Sequence, residues 1–73
     1  MKRPIEKRIV FLRRRQVEKR TGLGRSSLYK LISDGLFPKP VKLGPRTAAW
    51  VESEVDAWAA ERVARRDAEQ VSA

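Results

Sequence analysis

The sequence predicts a small, mainly α-helical fold in which three helices support a two-stranded β-hairpin. Three observations point there. Two short helical stretches, residues 14–20 and 25–34, flank the glycine-containing tetrapeptide Thr21-Gly22-Leu23-Gly24. Two strand-like stretches, residues 41–43 and 47–51, flank the turn Gly44-Pro45-Arg46. Beyond them Val55, Trp58 and Ala59 share one face of a last helical stretch.

Size and composition bound the rest. A chain of 73 residues holds one domain with a small core, and such a domain buries only roughly 60% of the surface its unfolded chain exposes. A hydrophobic content of 41% argues for a folded domain over wholesale disorder. The sequence contains neither cysteine nor histidine. Disulfides, thiolate chemistry and cysteine–zinc sites are therefore excluded, and the commonest general base and neutral metal ligand is missing. No apolar run approaches the ~18–20 residues that cross a bilayer. The expectation is a soluble cytoplasmic protein that is not an enzyme and uses no metal or cofactor.

Charge is distributed unevenly. Residues 1–46 hold fourteen basic and three acidic residues, whereas residues 47–73 hold three basic and six acidic ones, giving +11 and −3 within a net +8. This asymmetry implies one positive working surface on a mildly acidic support. Phosphate backbones are drawn to such a surface by Coulomb steering and counterion release. Charge alone does not distinguish DNA, RNA or an anionic membrane.

Taken in order, residues 1–8 alternate in charge, contain Pro4 and have little to bury, so they read as a mobile basic arm. Ile9-Val10-Phe11-Leu12 is apolar but too short for a helix, which fits an edge strand or a core-anchoring segment. Residues 14–20 are straight-chain helix formers around a lone aliphatic, Val17. Gly22 stops this helix as a left-handed C-terminal glycine, and Leu23 drops back onto the core. In the next helix Leu28, Leu31 and Ile32 lie within about 100° of one another and form the core stripe. Ser26, Lys30 and Ser33 face away, Tyr29 borders them, and Gly35 ends the helix.

Val41-Lys42-Leu43 alternates in, out, in, and the hairpin presents Lys42 and Arg46 at its tip, with Pro45 stiffening the turn. Ser53 is the expected N-cap of the last helix, with Glu54 and Asp56 in its first turn facing the positive end of the dipole. That helix is expected to leave the core after Ala59 or Val63 and to end near Asp67. The domain then covers residues 9–67, and residues 68–73 form a frayed tail. Trp50 and Trp58 suit nucleic-acid stacking, but each sits in an apolar pattern. In so small a chain they read as core, as do Phe11 and Phe37.

Two short helices joined by a tight glycine turn form a helix-turn-helix, whose second helix enters the major groove of DNA. The following hairpin is the wing of a winged helix-turn-helix. Arg25 can chelate guanine O6 and N7, and Ser26 or Ser27 can meet a base or a phosphate. Lys30 can reach either, and Tyr29 offers a hydroxyl on a rigid ring. These five are the expected base-reading residues. Arg13, Arg14, Arg15 and Lys19 on the first helix, with Lys42 and Arg46 on the wing, are the expected backbone contacts. Val17, Leu28, Leu31, Ile32, Trp50, Val55 and Trp58 are the expected support.

The ordered run from Thr21 through Ile32, then Gly35-Leu36-Phe37-Pro38-Lys39-Pro40-Val41-Lys42-Leu43-Gly44-Pro45-Arg46 and residues 50–58, closely resembles the AlpA family. These are small prophage transcriptional regulators related to phage excisionases and to the DNA-binding part of MerR-type proteins. The resemblance implies a MerR/excisionase-like winged helix-turn-helix and sequence-specific binding of double-stranded DNA. It also implies a bacterial or phage origin, with control of integrase or excisionase genes. Two positions depart from the family pattern. Gly24 stands where a capping serine is usual, and Arg14 stands where a larger aliphatic residue is common, which shifts first-helix packing onto Val17 and Leu12.

The leading expectation is a transcriptional regulator, active as a monomer or cooperatively on tandem sites and associated with the nucleoid. Integrase or RNA polymerase are its candidate protein partners, and no membrane is involved. An excisionase that bends DNA would use the same fold. A protein–protein adaptor or inhibitor working through the basic face is the alternative from a different class. It gives no reason for five polar residues arrayed on one outward helical face.

Overall fold

The computed structural model describes residues 8–72. Most of the expected basic arm therefore lies outside the described residues. The chain runs β1 (Phe11–Leu12), α1 (Arg14–Thr21), α2 (Arg25–Ser33), β2 (Val41–Gly44), β3 (Thr47–Val51) and α3 (Glu52–Ser72). The three helices and the β2–β3 hairpin match the sequence-predicted fold. Here β1 adds a further strand, making an antiparallel sheet of order β1-β3-β2.

Strand β3 is central because its residues are the ones that can be enclosed. Ala49 and Trp50 are both fully buried, and β3 pairs with β1 through Phe11–Val51 and Leu12–Trp50. The Glu52 N–H donates to the Val10 carbonyl at 2.8 Å, so the pairing carries directly into α3. For this reason α3 starts one residue before the expected cap: Ser53 lies inside the first turn, and Glu52 joins Glu54 there in place of Asp56.

The core gathers Leu12, Val17, Leu28, Phe37, Trp50 and Val55, with Leu23, Leu31, Ile32 and Trp58 packed around it. Every expected support residue is in this set. Three apolar expectations fail. Phe11 is exposed because a two-residue strand can turn only one side chain inward, and that is Leu12. Val41 and Leu43 are exposed because β2 is an edge strand beyond the reach of the helical layer, and neither joins the core cluster.

Glycine sets two helix ends. Gly22 adopts φ 77°, with its N–H donating to the Glu18 carbonyl at 2.7 Å. Gly35 adopts φ 75°, and the bonds Gly35 N–H to Ile32 carbonyl and Leu36 N–H to Leu31 carbonyl form a Schellman closure. Helix α3 continues past the boundary expected near Asp67 to Ser72, since Ala64, Ala68, Glu69 and Gln70 all favour a helix and no glycine or proline intervenes. From Ala60 to Gln70 every side chain is exposed, so the helix leaves the core after Ala59.

Candidate nucleic-acid interface

The turn between α1 and α2 is held by one side chain. Thr21 Oγ1 donates to the Val17 carbonyl at 2.9 Å and accepts the Leu23 N–H at 3.2 Å. This bridges the end of α1 to the residue that packs back on the core, and fixes how α2 departs. Residue types marked Gly22 as the stop, but the part played by Thr21 was not legible, because any threonine can satisfy its own helix this way.

Helix α2 buries Leu28 and half-buries Leu31 and Ile32, which leaves Arg25, Ser26, Ser27, Tyr29 and Lys30 exposed together. Ser26, Ser27, Lys30 and Leu31 line a shallow depression on its outer side. Gly24 occupies the N-cap with extended backbone and no side-chain cap, and the first turn holds no acidic residue. The N–H groups of that turn are therefore open to an external acceptor, with the positive end of the dipole behind them. Helix α3, by contrast, has Glu52 and Glu54 in its first turn.

Tyr29 is held rather than loose. Its ring meets Trp50 edge-to-face at 6.4 Å between centroids while the residue stays exposed. Lys30 Nζ donates to the Asp34 carboxylate at 3.3 Å in an exposed i,i+4 pair, of a kind worth about 0.3–0.5 kcal/mol that a phosphate can displace.

The first-helix cations divide. Arg13, Arg15 and Lys19 are exposed, and the Arg13 N–H is capped by Gln16 Oε1 at 2.7 Å. Arg14 is half-buried, with its guanidinium on Glu18 at 2.7 Å. Arg20, which the sequence did not single out, ties α1 to α3 through Glu52 at 2.7 Å and Asp56 at 3.3 Å. No local signal marks a pair so distant in sequence.

At the wing, Gly44 pairs with Thr47 across the turn residues Pro45 and Arg46, and a bulge falls between Lys42 and Gly44. Lys42, Pro45 and Arg46 are exposed. Both tryptophans anchor the segment leading from α2 to the wing. The Trp50 indole N–H donates to the Pro38 carbonyl at 3.0 Å, and that of Trp58 to the Leu36 carbonyl at 2.7 Å. Trp58 also meets Phe37 edge-to-face at 4.8 Å and carries the Arg62 guanidinium 5.2 Å above its ring. The tryptophans thus fix the position of the wing relative to α2, with their rings in or against the core.

The family model described as "Prophage CP4-57 regulatory protein (AlpA)" matches residues 10–63. The chain is 50% identical over 56 residues to the uncharacterized protein ORF88 of Enterobacteria phage P4, a match covering 77% of this chain and 64% of the phage protein. It thus spans just under two thirds of that relative's length. It is 33% identical over 58 residues to the DNA-binding transcriptional activator AlpA of Escherichia coli K12, covering 71% of this chain and 83% of that protein. No solved structure matches. With the match running from the strand before α1 into the exposed part of α3, the chain belongs to the AlpA family of prophage regulatory proteins.

Proposed function

We propose that this chain is a sequence-specific double-stranded DNA-binding regulator of transcription, acting at prophage integrase or excisionase genes. One observation carries the reading. Five polar or charged side chains, Arg25, Ser26, Ser27, Tyr29 and Lys30, share the exposed face of a helix whose N-terminus has no side-chain cap and no acidic first turn. Such a helix seats its N-terminus on phosphate and its outward residues on base edges.

Arg25 and Lys30 read guanine, Tyr29 and the serines supply hydroxyls, and Arg13, Arg15, Lys19, Lys42 and Arg46 hold the flanking backbone. Arg14 belongs to the phosphate-facing set only by exchanging Glu18 for DNA. The name of the E. coli relative supports the assignment. A single module buries about 600–1,000 Å² of its surface on DNA, so a monomer needs tandem sites or a protein partner such as integrase or RNA polymerase for firm occupancy.

The test is selection from a random duplex library, followed by mapping of genomic sites. Enrichment of one short motif beside recombination genes is expected. Recovery of no motif, with equal affinity for all duplexes, would refute sequence-specific reading.

A further inference from the structure

Leu31 faces two ways. It packs against the buried cluster that includes Leu28. It also stays only half-buried and lines the depression of about 420 Å³ on the outer side of α2, with Ser26, Ser27 and Lys30. Helical spacing explains the shape. Ser26 and Lys30 form one i,i+4 row along the helix, and Ser27 and Leu31 form the next. The depression falls between the rows, where two short serines leave the carbon of Leu31 uncovered. Lys30 contributes its aliphatic stem, since its ammonium is drawn along the helix to Asp34 at 3.3 Å. The lining is thus aliphatic carbon and two hydroxyls, with no carboxylate among its four residues.

Such a lining discriminates among base edges. Serine hydroxyls both donate and accept, so they accommodate any base and select none. Leu31 selects. In the major groove guanine and adenine present nitrogen and oxygen groups and cytosine an amino donor, whereas thymine alone adds a methyl group beside its carbonyl. A polar edge pressed on Leu31 loses water without gaining a partner. A methyl group gains by leaving water. The exposed α2 face also holds no Asn or Gln to pair with adenine, so an A·T pair is read there from its thymine side. We infer that Leu31 reads a thymine through its C5-methyl group, with a hydroxyl of Ser26 or Ser27 donating to the neighbouring O4. The inference rests on the DNA-binding reading and deepens it. It names one base of the site and gives a residue of the core stripe a second role, as a determinant of specificity.

The experiment removes the methyl group from the DNA and leaves the protein intact. Each thymine of the selected duplex is replaced in turn by deoxyuridine, which keeps the hydrogen-bonding groups and loses only the methyl. One position is expected to weaken binding about fourfold, the equivalent of roughly 0.8 kcal/mol for one buried methyl-sized group. A C·G pair at that position is expected to bind more weakly still, and 5-methylcytosine there to recover about the same factor. Nuclear Overhauser contacts between the Leu31 δ-methyl groups and that thymine methyl identify the reader in the wild-type complex. Leu31→Ala, provided its melt shows a folded domain, is expected to abolish the deoxyuridine penalty. A scan with no sensitive thymine overturns the proposal. So does a sensitive thymine whose methyl contacts another residue and not Leu31, or a penalty that persists in full in folded Leu31→Ala. In each of these cases the selected duplex still binds tighter than scrambled DNA. Equal affinity for the two would instead refute the DNA reading itself, so the two failures are distinguishable.

Discussion

Arg25 begins the exposed face of α2, one residue after an N-cap that offers no side-chain acceptor. Its guanidinium has no partner among the ion pairs of the described residues, so it approaches DNA without first breaking a contact. Arg25→Ala is expected to cost about 1–3 kcal/mol on the selected site and to relax specificity at one base pair. Affinities for the selected and scrambled duplexes check this, and a wild-type ratio between them removes Arg25 from base reading. Arg46 stands next to Pro45 at a two-residue turn. Arg46→Ala is expected to weaken all sequences alike and to lower the salt slope by about one. An unchanged slope across several ionic strengths removes the wing from the mechanism.

At the scale of elements, the angle of α2 and the placement of the wing depend on glycine ends and indole anchors. Gly35 holds φ 75° with nothing within 4 Å of an added side chain, so the cost of substitution is conformational and not steric. Gly35→Ala is expected to destabilise by about 1–2 kcal/mol, read as a lower melting temperature without DNA. A melt equal to wild type contradicts the left-handed closure. Trp50 is fully buried, and Trp50→Ala is expected to cost about 3–5 kcal/mol, enough to unfold much of so small a domain. A folded variant with a wild-type melt would show that the ring is dispensable to the core.

These elements were legible in the sequence to different depths. Glycine stops and the 3.6-residue stripe of Leu28, Leu31 and Ile32 are local signals, and α1 and α2 appear within a residue of where those signals place them. The inward alternation expected of Val41 and Leu43 failed because strand phase says which residues share a face, not whether anything covers it. Ser53 failed as a cap because the Glu52 N–H is claimed by Val10, a partner far off in the sequence. The Arg20 pairs with Glu52 and Asp56 and the indole bonds to Leu36 and Pro38 were hidden for the same reason. The polar residues of the α2 face were legible because their exposure follows from the phase of the buried stripe.

For the whole molecule, charge and architecture coincide. The +11 of residues 1–46 belongs to the part that holds α1, α2 and β2, and the −3 of residues 47–73 to β3 and α3. The last turns of α3 are solvent-exposed through Gln70. Deleting residues 68–73 is therefore expected to leave the melt and single-site affinity nearly unchanged, checked by thermal unfolding and titration; a large drop in either would mean that these turns support the domain. The most direct test of the central claim is the salt dependence of binding to the selected duplex and its scrambled counterpart. The account predicts a linear fall of log affinity with log salt, at a slope of about −0.9 for each phosphate neutralised and reflecting several of them, with the selected duplex tighter at every ionic strength. A slope near zero, or equal affinity for both duplexes throughout, would contradict it.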